Sequence, residues 1–132
     1  MPHLTLEYSA NLDGKIDLDT LCGALNEQIA ALPFFEVGAI RVRAVRCASY
    51  AIADQGPLEA FIDMQFRIGK GRSQAEKKAA GDALFAVASK HASGLLAEPH
   101  FALSLEIREI DSDLSWRKNT MHSRLRNRKA AE

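Results

Sequence analysis

Glu59-Ala60-Phe61-Ile62-Asp63-Met64-Gln65-Phe66-Arg67-Ile68, followed by Gly69-Lys70-Gly71-Arg72-Ser73-Gln74-Ala75-Glu76, is the stretch that decides the fold. Its first part alternates with a period of two. Ala60, Ile62, Met64, Phe66 and Ile68 fall on one side, and Phe61, Asp63, Gln65 and Arg67 on the other, which predicts a strand over 59–68 with one buried face. Gly69-Lys70-Gly71-Arg72 then reads as a turn. Ser73 and Glu76 have the spacing of a capping box at the head of a long helix. The apolar stripe of that helix is expected to run through Ala80, Leu84, Val87, His91 and Leu95, with His91 a core or interface histidine. A second alternating run over 101–110, Phe101, Leu103, Leu105 and Ile107 against Ala102, Ser104, Glu106 and Arg108, completes a strand-helix-strand unit.

The same order occurs in the first half of the chain. Leu4, Leu6 and Tyr8 alternate with His3, Thr5, Glu7 and Ser9 over 3–9, and Asn11, Asp13 and Gly14 mark a turn. Asp17 is placed to cap a helix with Leu18, Leu21, Leu25, Ile29 and Leu32 on one stripe, which Pro33 stops. A strand over about 39–46 follows, with Ile40, Val42 and Ala44 opposite Arg41, Arg43 and Val45. Each half fits the right-handed crossover that joins two parallel strands. The expected fold is α/β (α+β): two β-α-β units forming a four-stranded sheet with two helices on one face. The sheet face away from the helices is only partly apolar, and a sheet open on one side calls for a partner copy.

At 132 residues the chain is expected to be a single domain over 1–132, with a core over about 2–110 and a C-terminal tail over 111–132. A short turn or helix is expected at Trp116 to Leu125. Lys plus Arg equals Asp plus Glu at 17 each, so bulk charge argues for neither nucleic acid nor an acidic membrane surface. The basic run Arg124, Arg126, Arg128 and Lys129 reads as a solvated tail. No run approaches the roughly 20 apolar residues of a membrane span, and the start lacks the pattern of a secretory signal. Cys22 and Cys47 read as buried thiols in a reducing, cytoplasmic setting.

Three features carry chemistry. Pro2 is the first: if Met1 is trimmed, the proline nitrogen becomes a secondary amine with a lone pair, whereas an internal proline nitrogen is an amide. With Met1 in place Pro2 cannot act as a base. Arg72 is the second. It stands beside a helix N-terminus, where free N–H groups and a guanidinium together suit a carboxylate or phosphate. The alternative is that Gly69 and Gly71 only make the turn and Arg72 is solvated. The third is Arg41 with Arg43 on one strand face, able to clamp a carboxylate or to pair with neighbouring acids. The segment around Gly69 has neither the phosphate-loop nor the dinucleotide spacing. His3, His91, His100 and His122 are scattered, and none has metal-ligand spacing.

Together these residues resemble the tautomerase superfamily, and most of all its 5-carboxymethyl-2-hydroxymuconate delta-isomerase branch. The resemblance is carried by Met-Pro-His-Leu-Thr-Leu-Glu-Tyr-Ser at the start, Gly38-Ala39-Ile40-Arg41-Val42-Arg43, and Ala60-Phe61 through Met64 to Ile68-Gly69-Lys70-Gly71-Arg72-Ser73. Ala102-Leu103-Ser104-Leu105-Glu106-Ile107 and Asn119 to His122 also match, so the likeness covers about residues 2–125. It implies a cytoplasmic homotrimer with sheets inward and helices outside. It implies Pro2 as general base and Arg41 and Arg72 as the arginines that bind substrate carboxylates, with Arg43 matched but without an assigned role. It implies an isomerase that moves a proton from oxygen to carbon in a dienol carboxylate, for which one amine suffices and no cofactor or metal is needed. Two departures stand out. Arg46 to Tyr50 match poorly, which leaves the preferred substrate open, and Asn127 to Glu132 run past the pattern and receive no function. Two other readings remain: a tautomerase-fold enzyme on a smaller 2-hydroxydienoate or an enol pyruvate, and an oligomeric binding protein without chemistry.

Overall fold

The two strands that carry the buried side chains of the sheet lie side by side at its centre. A computed structural model describes residues 1–131, with side chains described as far as Arg128. In it β1 (His3–Ser9) pairs antiparallel with β3 (Ala60–Gly69). On the outer side of β1, β2 (Arg41–Cys47) runs parallel, and on the outer side of β3, β4 (Phe101–Ile110) runs parallel. The order β2-β1-β3-β4 is that of two β-α-β units joined through their first strands, the four-stranded sheet expected from the repeat.

The register explains which face is buried. Leu4 lies opposite Phe66 and Leu6 opposite Met64, and all four are inaccessible to solvent, as are Ile62 and Ile68. Against them pack α1 (Leu18–Ala31) through Leu21, Leu25 and Ile29, and α2 (Gln74–His91) through Ala80, Leu84 and Ala88. Asp17 caps α1, its carboxylate accepting from Thr20 N at 3.1 Å, and α1 gives way at Leu32 before Pro33. The capping box of α2 is complete: Glu76 N donates to Ser73 Oγ at 3.1 Å, and Ser73 N donates to Glu76 Oε1 at 2.9 Å. The buried side chains of α1 are a stripe of branched aliphatics, each fully buried, and removing one to alanine carries the usual cost of about 2–5 kcal/mol.

Four expectations change. His91 is exposed at the end of α2, because the buried stripe follows Leu84 at steps of four, through Ala88 and Ala92, which turns His91 to the flank. The helix also stops there, and Leu95 belongs to a separate turn, α3 (Ser93–Leu96). β2 starts at Arg41, since Val37–Ala39 first make a 3₁₀ turn. Cys22 and Cys47 are free thiols but half-buried rather than buried; burial and the nearby Asp19 raise the Cys22 thiol, which disfavours a nucleophile.

The tail is more ordered than a short turn. It forms a 3₁₀ turn at Ser112–Leu114 and then α4 (Met121–Ala131), which includes most of the segment beyond the family pattern. The Lys129 side chain and Glu132 lie outside the described residues. Asn119 starts α4 by accepting from Met121 N at 2.9 Å, and ties it to the fold by donating to Gly38 O at 2.7 Å. None of the helices among the described residues is long and apolar enough to cross a membrane.

Candidate active site

Pro2 immediately precedes β1 and follows its alternation, so its ring turns toward the helix side with Leu4 and Leu6 and is fully buried. Its carbonyl accepts from Arg41 N at 3.0 Å, which locks the start of β1 to the start of β2. Beside it opens a cavity of about 260 Å³, just below the usual size of small-molecule pockets of ~300–1,000 Å³. Met1, Pro2, Phe35, Arg72, Arg117 and His122 are among the residues that line it.

Arg72 reaches this cavity because of the glycine turn. Gly71 has φ +113°, a left-handed conformation costly for other residues, and it folds Arg72 back over the end of β3. The guanidinium donates from Nη1 to Gly69 O at 3.0 Å and from Nη2 to Phe34 O at 2.8 Å. It also stands 4.4 Å over the ring of Phe35, which in turn meets Phe66 of the core edge-on at 5.6 Å. Arg72 is therefore tied to the fold and only partly exposed to solvent. Its Nε is buried and has no hydrogen-bond partner. The helix N-terminus contributes less to the site than the spacing implied, because the capping box already takes up two donors at the start of α2.

Arg41 does not line the cavity and is linked to it through Ala39, which does. Its Nη1 donates to Ala39 O at 2.7 Å. Arg43 is elsewhere: it is exposed on the open sheet face, with Nη1 3.3 Å from His3 Nδ1. There His3 lies in register with Arg41 on one side and Arg67 on the other. Burial, then Arg67, Arg43 and Arg41, lower its pKa to about 4, so His3 is neutral at neutral pH. The structure thus brings Pro2 and Arg72 together, links Arg41 to their cavity through Ala39 and leaves Arg43 apart.

Sequence reasoning missed the wall that the C-terminal segment supplies. Arg117 and His122 line the cavity, and so does Glu36, from the loop that follows α1. Arg126 of α4 holds the Glu36 carboxylate with Nε on one oxygen and Nη2 on the other at 2.7 Å, and His122 Nδ1 stands 3.3 Å away. The Arg126 hydrogen bond is the main reason that the Glu36 carboxyl titrates below its usual range. With Glu36 occupied in this way, the cavity is cationic. The amine at the chain start feels this: burial first, then Arg117, Arg72 and Arg41, lower the Met1 ammonium below the ordinary α-amino value of 8.0. Asn119, a residue type suited to capping, was the signal in the sequence for a helix that starts at Met121.

Known proteins match this chain along nearly its whole length. The sequence model of the 5-carboxymethyl-2-hydroxymuconate isomerase family matches residues 2–125. A 5-carboxymethyl-2-hydroxymuconate Delta-isomerase of Escherichia coli is 32% identical over 123 residues, 93% of this chain and 98% of that protein. A crystal structure of a 5-carboxymethyl-2-hydroxymuconate isomerase from Deinococcus radiodurans R1 superposes with a TM-score of 0.89 at 44% identity, covering 94% of this chain and 93% of that one. A second structure, of a 5-carboxymethyl-2-hydroxymuconate delta-isomerase, gives a TM-score of 0.87 at 27% identity, covering 95% and 93%. With sequence and fold agreeing from Pro2 to Leu125, the chain belongs to the 5-carboxymethyl-2-hydroxymuconate isomerase family and is an isomerase.

Proposed function

We propose that this isomerase converts 5-carboxymethyl-2-hydroxymuconate, or a closely similar dienol polycarboxylate, to its keto isomer, with the amine of Pro2 as general base once Met1 is removed. One observation carries the reading: the half-buried chain start and the buried Pro2 line a small cavity with Arg72 and Arg117, and these charges, with that of Arg41, disfavour an ammonium there. Removal of Met1 leaves the new amine one residue deeper, where Pro2 is already fully buried. The same two causes, burial and guanidinium charge, disfavour its ammonium and so favour the form that accepts a proton.

The chemistry then needs one group. The dienol gives its hydroxyl proton to the proline nitrogen, electron density moves through the conjugated system, and the ammonium returns a proton to carbon. A single positioned acid–base group contributes about 10²–10⁴-fold. The guanidiniums orient the substrate by its carboxylates and stabilise the enolate oxygen as it gains charge. Arg72 is pinned by two carbonyls and an aromatic ring, so it costs little to hold in place when substrate binds.

Assembly into a homotrimer in the cytoplasm belongs to the same proposal. It is supported by apolar groups left open at the surface: Trp116 is 85% exposed and Leu114 is 70% exposed, and Val45 stands on the open sheet face.

The decisive test compares chains with and without Met1, verified by mass spectrometry, in an ultraviolet assay of dienol loss. The processed form is expected to turn over the dienol and the Met1-bearing form to lose about 10²-fold or more. Equal turnover by the two forms would remove Pro2 as the base.

A further inference from the structure

Among the described residues, Arg117 is the guanidinium lining the cavity that is not already committed. Arg72 spends two of its nitrogens on the carbonyls of Gly69 and Phe34, and Arg41 spends one on Ala39 O. Arg117 lines the same cavity as Pro2 and Arg72, and among the described residues it has neither a carboxylate nor a carbonyl partner. The carboxylate that lines the cavity is that of Glu36, and Arg126 grips both of its oxygens.

Its placement is built rather than incidental. Two residues after Arg117, Asn119 is fixed through both ends of its amide, to Gly38 O and Met121 N. The α4 helix that follows is seated so closely on the 3₁₀ turn that a Cβ at Gly38 would come within 2.8 Å of His122 Nδ1. The segment that bears Arg117 is thus held against the cavity from its C-terminal side.

Taken with the reaction proposed above, on which this step rests, we infer that Arg117 binds a third carboxylate and makes the enzyme selective for tricarboxylate over dicarboxylate dienols. The muconate skeleton of the proposed substrate carries two carboxylates, and its carboxymethyl branch carries the third. Arg72 and Arg41 serve the skeleton. Arg117, with its donors uncommitted and able to engage a carboxylate bidentately, receives the branch. Arg117 acts as a specificity residue that touches substrate at a point remote from the migrating proton, so its contribution falls on binding more than on the chemical step.

Steady-state kinetics of Arg117→Ala and Arg117→Lys, each with Met1 removed, on 5-carboxymethyl-2-hydroxymuconate and on the same dienol lacking the carboxymethyl branch, test the inference. For Arg117→Ala, KM on the tricarboxylate is expected to rise by about 10–100-fold, at least tenfold more than on the dicarboxylate, with kcat changing far less than KM. Arg117→Lys is expected to recover part of the difference, as a point charge without the bidentate fork. An equal loss on both dienols, or no loss on either, overturns the inference. That result leaves the reaction itself standing as long as the wild-type chain still requires Met1 removal. A wild-type chain that turns over neither dienol overturns both.

Discussion

Replacing Arg72 by alanine tests whether this arginine is a ligand-binding group, a structural clamp or both. The structure shows the clamp, and the proposed reaction adds the binding role. Two charge-assisted hydrogen bonds, to Gly69 O at 3.0 Å and Phe34 O at 2.8 Å, tie the β3–α2 turn to the loop after α1. Bonds of this kind contribute about 1.5–3 kcal/mol each. The contact with the Phe35 ring at 4.4 Å adds about 0.5–1 kcal/mol. Arg72 is only partly buried, so water replaces some of what the two carbonyls lose, and the expected net destabilisation is about 2–4 kcal/mol. With a urea m-value of about 2 kcal/mol/M, the unfolding midpoint moves down by roughly 1–2 M. The assay is urea denaturation followed by far-ultraviolet circular dichroism, with protomer concentration held fixed because assembly would shift the apparent stability. KM for the dienol is measured on the same preparations, well below the unfolding range, and is expected to rise at least tenfold. A midpoint unchanged from wild type would refute the clamp: the carbonyl bonds would then add nothing, and the guanidinium would serve substrate alone. A lowered midpoint with unchanged KM would refute the binding role instead.

Gly38→Ala places a methyl within 2.8 Å of His122 Nδ1 and 3.3 Å of Leu125 Cδ1, so the His122 ring has to shift or α4 has to move; a loss of about 1–3 kcal/mol in chemical denaturation and a raised KM are expected, and an unperturbed variant would contradict the close seating. His3 supplies a pH signature. Its folded pKa of about 4 lies below the ordinary value of 6.5, so the unfolded chain binds the proton first. Stability is therefore full above pH ~6.5 and declines as pH falls from there toward 4. In His3→Gln that part of the decline is expected to disappear from denaturation midpoints taken across the window, and an identical pH profile would exclude His3 as its source.

Much of the fold was legible in the chain because its signals are local. Alternation over Ala60 to Ile68, the Ser73–Glu76 box and the Asp17 cap are each set by neighbours within a few residues, and each appears where the pattern put it. His91 was misplaced for the opposite reason: two stripes three and four residues apart both fit the sequence, and only packing of α2 against the sheet selected Ala88 and Ala92. Pro2 and Arg72 were legible as candidates through their resemblance to known sequences and their standing beside a chain start and a glycine turn. What those residues touch was not. The carbonyl partners of Arg72 are 3 and 38 residues away, and Glu36 and Arg126, whose pairing leaves the cavity cationic, lie 90 residues apart. The sequence by itself determined two strand-helix-strand units and a proline that acts as an amine only at a chain end, because periodicity, capping and covalent structure are properties of neighbours along the chain. Only the tertiary structure decided that Arg117 faces that proline while Arg43 does not, because the sheet register and the seating of α4 on Gly38 bring distant segments to one cavity.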